Sequence, residues 1–166
     1  MACALFMKPT WAQNNASPPP TSDNAVATLM GEGHWRVLAS PYTHHWRYSA
    51  EHTHVYALGG EWQRSDQWLG GASYFRNSFG QPSAYVYLGK RYPGLWQSQP
   101  ELFLQWSAGM LYGYRGKFKT KVPLNYNGFS PGALASAGWM FDKKTTFTVH
   151  LLGDAGVMFQ FSYDLR

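Results

Sequence analysis

Apolar and polar residues alternate along most of this chain, most cleanly in its last ten residues. Val157, Phe159, Phe161, Tyr163 and Leu165 form one set; Met158, Gln160, Ser162, Asp164 and Arg166 form the other. A period of two marks a strand whose successive side chains point to opposite faces. One face is wholly apolar and the other mostly polar. At the end of a chain rich in such segments, this pattern predicts the closing strand of a transmembrane β-barrel.

Seven more segments read the same way. The first spans about 35–48 and sets Leu38, Tyr42, Trp46 and Tyr48 on one face, with Val37, Ala39, Pro41, Thr43 and His45 on the other. His45 is thereby expected to point inward, and His44 to lipid or the rim. The next three span 54–64 (Tyr56, Leu58, Trp62), 67–76 (Trp68, Gly70, Ala72, Tyr74) and 82–92 (Ala84, Val86, Leu88). The fifth, 101–115, has apolar or aromatic residues at every even position from Leu102 to Tyr114. The sixth and seventh cover 132–141 and 145–153. Each is close to the roughly 9–11 residues that a tilted membrane strand needs. Eight is the smallest even number of strands that closes. The predicted fold is all-β: an eight-stranded antiparallel transmembrane β-barrel. Before it, Asp23 offers a cap for a short amphipathic helix over 24–30, ended by Gly31.

With a periplasmic N-terminus, Ser65-Asp66, residues 93–100 and 142–144 fall on the periplasmic side. Residues 49–53, 78–81, the long 116–131 segment and 153–154 fall outside. The 93–100 connection is long for an inner turn.

Composition agrees with a membrane wall. Aromatic residues make up 17%, including 8 Trp and 11 Tyr, which favour the membrane–water boundary. Charged residues are only 14%, against about 25% in soluble domains. Mean hydropathy is nonetheless −0.38, and no apolar run of about 18 residues offers a spanning helix. A barrel reconciles these values because only alternate residues meet lipid. The single cysteine, Cys3, excludes an intrachain disulfide. The apolar Met1–Met7 stretch reads as the end of a secretory signal, a truncated one, or an alternative start. A proline-rich linker follows at 16–22. Residues 1–22 are thus placed outside the barrel domain, 23–166.

Three features carry candidate chemistry. Thr43-His44-His45-Trp46-Arg47-Tyr48 ends the first strand; two such histidines are either solvated loop residues or proton-transfer groups near neutral pH. Arg76-Asn77-Ser78-Phe79-Gly80 lies on the same side, either as an ordinary turn or as a hydroxyl and amide beside a histidine, a set suited to acyl transfer. Arg115, Lys117, Lys119 and Lys121 head the long loop, either solvated or set to meet anionic phosphates. The net charge of +5 is accounted for partly there, and no aromatic–basic motif points to nucleic acid. Gly89, Gly109 and Gly113 either make room inside a narrow barrel or mark close strand approach.

Thr43-x-His45-x-Arg47-Tyr48 and Phe75-Arg76-Asn77-Ser78-Phe79 resemble two segments of the outer-membrane lipid A palmitoyltransferases, the PagP family. Pro41, upstream, also resembles a proline found there near a sideways opening of the barrel. The local similarity covers about residues 35–92. The resemblance implies a catalytic His, Asp and Ser at His45, Asn77 and Ser78 and an interior acyl pocket floored by Gly89; with lipid A as substrate, Arg115, Lys117, Lys119 and Lys121 are expected to meet its phosphates. It implies a phospholipid acyl donor and a lipid A acceptor, in the bacterial outer membrane. Tyr85 and Tyr87 would shorten the pocket. Asn77 departs from the family pattern, since an amide holds no negative charge. Either this is a branch working with His-Asn-Ser, or its activity is weakened or lost; the 77–82 and 121–131 segments resemble divergent family members and favour a branch. No metal or cofactor is implied, and a monomer is expected. The alternatives are a non-catalytic barrel that binds lipid or carries a small anion, and a soluble lipocalin-like barrel. The apolar even face of the fifth strand argues against the last.

Overall fold

Alternating side chains build a wall with two different faces, and eight such segments close on themselves. A computed structural model describes residues 30–47 and 49–165. Its strands are β1 (Gly33–His45), β2 (Ala57–Arg64), β3 (Trp68–Arg76), β4 (Pro82–Pro93), β5 (Leu102–Tyr112), β6 (Phe129–Met140), β7 (Thr145–Leu151) and β8 (Gly156–Leu165). Each pairs antiparallel with its chain neighbours, and β1 pairs with β8 to complete a closed barrel. The eight expected strands are therefore all present. The helix expected over 24–30 lies, apart from Met30, outside the described residues.

The exterior is apolar. Trp35, Trp62, Trp68, Trp106 and Trp139, with Tyr92, stand toward the end where β1 begins and β8 finishes, here the terminal end. Tyr42, Tyr56, Tyr74 and Tyr112 stand toward the other, far end. Between them Val37, Leu58, Val86 and Leu88 are exposed. Ring contacts tie the terminal belt together: Trp35 on Trp62 at 5.4 Å and Trp68 on Trp106 at 5.9 Å, both edge-on. An apolar band between two aromatic girdles is what a lipid-facing barrel presents.

The interior is filled rather than open through its middle. Leu38, Leu69, Tyr85 and Tyr87 pack together, with Phe75, Leu111 and Leu134 against them. Inward glycines make room for these rings. A Cβ on Gly71 would stand 2.8 Å from the Tyr87 hydroxyl, and one on Gly138 would overlap the Phe103 ring. Toward the terminal end lies a buried charge network. Arg36 donates to Asp164 at 2.5 Å and approaches Glu61 at 3.4 Å, while His34 lies 2.9 Å from Asp164. Tyr87 donates to Glu61 at 2.9 Å. Each charge of this network has a partner, as burial requires.

β1 corrects the sequence reading of its own faces. Leu38 is buried and Val37 and Ala39 are exposed, the reverse of the expected alternation. The β1–β8 register shifts between Ala39 and Tyr42. This bulge, at Ser40-Pro41, moves the inward set from even to odd positions. Thr43 is consequently buried and Tyr42 exposed. Leu38 and Tyr42 therefore lie on opposite faces. His45 shares Thr43's inward parity, as expected, but through the bulge.

Candidate active site

Three far-end connections lock together around the residues singled out from sequence. The β3–β4 turn is built on Asn77. Its Oδ1 accepts hydrogen bonds from the Phe79 and Gln81 amides, both at 3.0 Å. Its own amide and carbonyl bond Gln81 and Gly80, and Gly80 takes a φ of 74°. Such a φ suits glycine. The β1–β2 connection docks on this turn, with the Thr53 amide donating to the Ser78 carbonyl at 2.7 Å. The β5–β6 connection docks from the other side: the Arg115 amide donates to Gln81 Oε1 at 2.9 Å, and Gln81 Nε2 donates to the Arg115 carbonyl at 3.2 Å.

This packing sets a row of rings across the rim. His45 lies against His52 with ring centroids 4.5 Å apart. His52 meets Phe79 edge-on at 5.4 Å, and Phe79 stacks on Phe118 at 4.2 Å. Asn77 and Ser78 are buried beneath, 1% and 6% exposed. Burial pushes the Tyr114 phenol up, an effect that the neighbouring Ser78 side chain partly offsets.

His45, Asn77 and Ser78 thus share one rim. Among the described residues His45 makes no hydrogen bond to either of the others, and the ring it touches is that of His52. Asn77 does not orient a histidine through its carbonyl oxygen, because that oxygen is committed to the turn. What remains is Nδ2, a buried donor with no partner among the described residues. Buried donors without partners are uncommon in folded proteins and call for an explanation, a catalytic role among them. An N–H next to a serine hydroxyl is suited to receive a developing oxyanion.

The four basic residues separate into different roles. Lys117 pairs with Glu51 at 2.6 Å, and this bond holds the Glu51 carboxyl below its usual range. Lys121 lies 5.7 Å over the Phe79 ring. Arg115 and Lys119 line a cleft of about 450 Å³ with Tyr114 and Asn125–Gly128. Gly89 lies away from this rim, in β4 opposite Leu69 and Ser107. A Cβ there would overlap the Trp106 carbonyl oxygen, so close strand approach explains this glycine.

The wall is incomplete at two places near this rim. The β1–β2 ladder stops at Ser40 and Ala57, so Pro41 onward bonds only β8. The His54 ring instead bridges to the Pro41 carbonyl at 2.8 Å. The β6–β7 ladder stops at Ala135 and Leu151, so over 129–134 β6 pairs with β5 as its one neighbouring strand.

No family model and no curated protein matches this chain. A solved structure from a de novo design of transmembrane β-barrels is similar, with a TM-score of 0.57 over 81% of this chain and 97% of that one. The chain has the fold of a transmembrane β-barrel. At 17% identity the likeness speaks for the fold alone. Together with the apolar exterior it suggests a membrane location.

Sequence reasoning missed His52, Thr53 and Tyr114 at the rim. His52 and Thr53 lie in a loop with no period to read, and Tyr114, which alternation set on the even face of the fifth strand, lies beyond the end of β5 at Tyr112. One signal was present: four of the six histidines, His44, His45, His52 and His54, fall within eleven residues.

Proposed function

We propose that this barrel is an acyltransferase of the bacterial outer membrane, moving a palmitoyl chain from a phospholipid to lipid A. The observation that carries the reading is the buried, unpartnered Nδ2 of Asn77 beside Ser78, on the rim that also holds His45. Two further features support it. The ladder gaps beside Pro41 and Pro131 are where a phospholipid tail would pass between strands. Arg115 and Lys119 would meet lipid phosphates at the cleft.

In this mechanism His45 acts as general base on a lipid A hydroxyl. The hydroxyl oxygen attacks the ester carbonyl of the donor phospholipid. The resulting oxyanion is held by Asn77 Nδ2–H and the Ser78 hydroxyl. Collapse breaks the ester bond, and the lysophospholipid alkoxide leaves with the proton from His45. His52, against the His45 ring, keeps that ring in place, and Tyr114 fixes Ser78.

Each step has a customary size. General-base loss costs about 10²–10⁴ in rate, so His45→Ala is expected to fall in that range. Ser78→Ala is expected to lose about 10²–10³. The assay is acyl transfer between purified phospholipid and lipid A in detergent, read by mass spectrometry. Unchanged transfer in both variants would end the mechanism.

One observation favours a non-catalytic lipid-binding barrel instead: His45 makes no hydrogen bond to Ser78 or Asn77 among the described residues. Under that reading purified wild type binds phospholipid and transfers no acyl chain.

A further inference from the structure

The terminal end of the lumen, opposite the His45 rim, opens into a cavity of about 760 Å³. Its walls carry Arg36, Arg64, Arg91 and Lys143 against Asp142 and Asp164. Most of these charges are already engaged. Arg36 serves Asp164 and Glu61, Arg64 serves Asp66, and His34 adds to Asp164. Glu61 also accepts from Tyr87. One oxygen of Asp142 accepts the Lys144 and Thr145 amides.

Arg91 stands apart. It is only 5% exposed. Its Nε donates to Gln105 Oε1 at 3.0 Å, and its guanidinium carbon lies 4.1 Å over the Phe103 ring. These contacts fix one edge and one face of the group. Among the described residues no carboxylate lies within ion-pair distance of it, and its two Nη groups have no acceptor. Glu61, Asp164 and Arg36 act on it only at longer range. Phe103 is itself wholly buried, so the side chain is held in place. A buried guanidinium normally faces an anion, because a desolvated charge is otherwise left unpaired. Here the face left over is the one toward the cavity.

We propose that this cavity is an oxyanion site of the phosphate class. The two Nη groups of Arg91 match two oxygens of one phosphate in a fork, which an ammonium could not do. Lys143, also without an ion-pair partner among the described residues, supplies a second positive charge at the cavity wall. Pro93 and Met140, at inward positions of β4 and β6, line the same space, so an apolar group attached to the phosphate is accommodated too. Free phosphate and a lipid phosphate share this chemistry. The site lies at the other end of the barrel from His45 and does not depend on acyl transfer.

The test uses the full chain folded in a non-ionic maltoside detergent, with phosphorus NMR linewidth as the readout. Inorganic phosphate and a short-chain phosphatidic acid are titrated separately at fixed ionic strength. Saturable broadening is expected, with affinity weakened about tenfold or more in Arg91→Gln. Arg91→Lys is expected to bind more weakly than wild type, and Lys90→Gln, on the outer wall, unchanged. Folding of each variant is checked by heat-modifiable gel migration. If Arg91→Gln does not fold, Arg91→Lys decides: undiminished affinity there overturns the proposal. Binding of phosphatidic acid without binding of free phosphate supports the site and assigns it to a lipid headgroup. Absence of saturable broadening by both probes, or equal broadening in Arg91→Gln, overturns it.

Discussion

Replacing Asn77 by Asp separates the two roles this side chain carries. Its Oδ1 holds the turn through the Phe79 and Gln81 amides at 3.0 Å each, and a carboxylate oxygen accepts those bonds equally well. Its Nδ2 is a buried donor with no partner among the described residues, and a carboxylate puts an acceptor there instead. The turn is therefore expected to survive, at a stability loss of about 1–3 kcal/mol for one unpaired, desolvated oxygen. Acyl transfer is expected to fall about 10²–10³-fold, or about 2.7–4 kcal/mol, as for removal of one oxyanion donor. Asn77→Ala loses the same donor and also both turn bonds, each worth about 1 kcal/mol. The two variants should thus be similarly slow, and both less stable than wild type. Rates come from transfer of a labelled acyl chain to lipid A in micelles. Stabilities come from denaturant unfolding followed by tryptophan fluorescence. A faster Asp variant would refute this reasoning. It would mean that the position calls for a negative charge to orient a histidine, with the amide a weakened substitute. An Asp variant as fast as wild type would show that Nδ2 takes no part.

Three further outcomes test the fold and its electrostatics. Arg36→Ala removes the ion-pair partner of Glu61 and leaves Asp164 with His34, and should cost about 3–5 kcal/mol in unfolding free energy, with no comparable loss for exposed Arg76→Ala. Val86→Arg, at a position 60% exposed in the apolar band, should cost about 2–4 kcal/mol when the barrel is folded into bilayers; a negligible change would speak against lipid at that position. The Asp142 carboxyl is held below its usual range by the Lys144 and Thr145 amides. A depressed folded value adds stability above the unfolded value, about pH 4, and that stability is lost as pH falls through the folded value. Acid unfolding of Asp142→Asn should accordingly show a shallower pH dependence than wild type below about pH 4, and identical profiles would remove this carboxyl from the account.

Much of the fold is legible because alternation in a barrel is a direct physical demand: one face meets lipid, the other the lumen. Strand five shows this from Leu102 to Met110, and β8 shows it from Phe159 to Leu165. The reading failed where one residue broke the period. Pro41 cannot donate a ladder hydrogen bond, and the bulge at Ser40-Pro41 inverts every earlier position of β1. That inversion hid Arg36, which an unbroken alternation would place with the lipid-facing set. Its partners Glu61 and Asp164 lie far away in sequence, so no local pattern links them. Small residues were ambiguous for a related reason. Gly71 and Gly138 look like empty space, and only tertiary packing shows the Tyr87 and Phe103 rings that occupy it. At the rim, motif spacing brought His45, Asn77 and Ser78 to one end correctly. The roles of His52 and Tyr114 depend on how three irregular connections dock, which alternation does not encode.

The measurement that bears most directly on the acyltransferase proposal is the mass spectrum of lipid A from Gram-negative cells with and without this chain expressed. The account predicts a new lipid A species heavier by one palmitoyl group, absent when His45→Ala is expressed at equal level in the membrane. A spectrum identical with and without the folded wild-type barrel would contradict it.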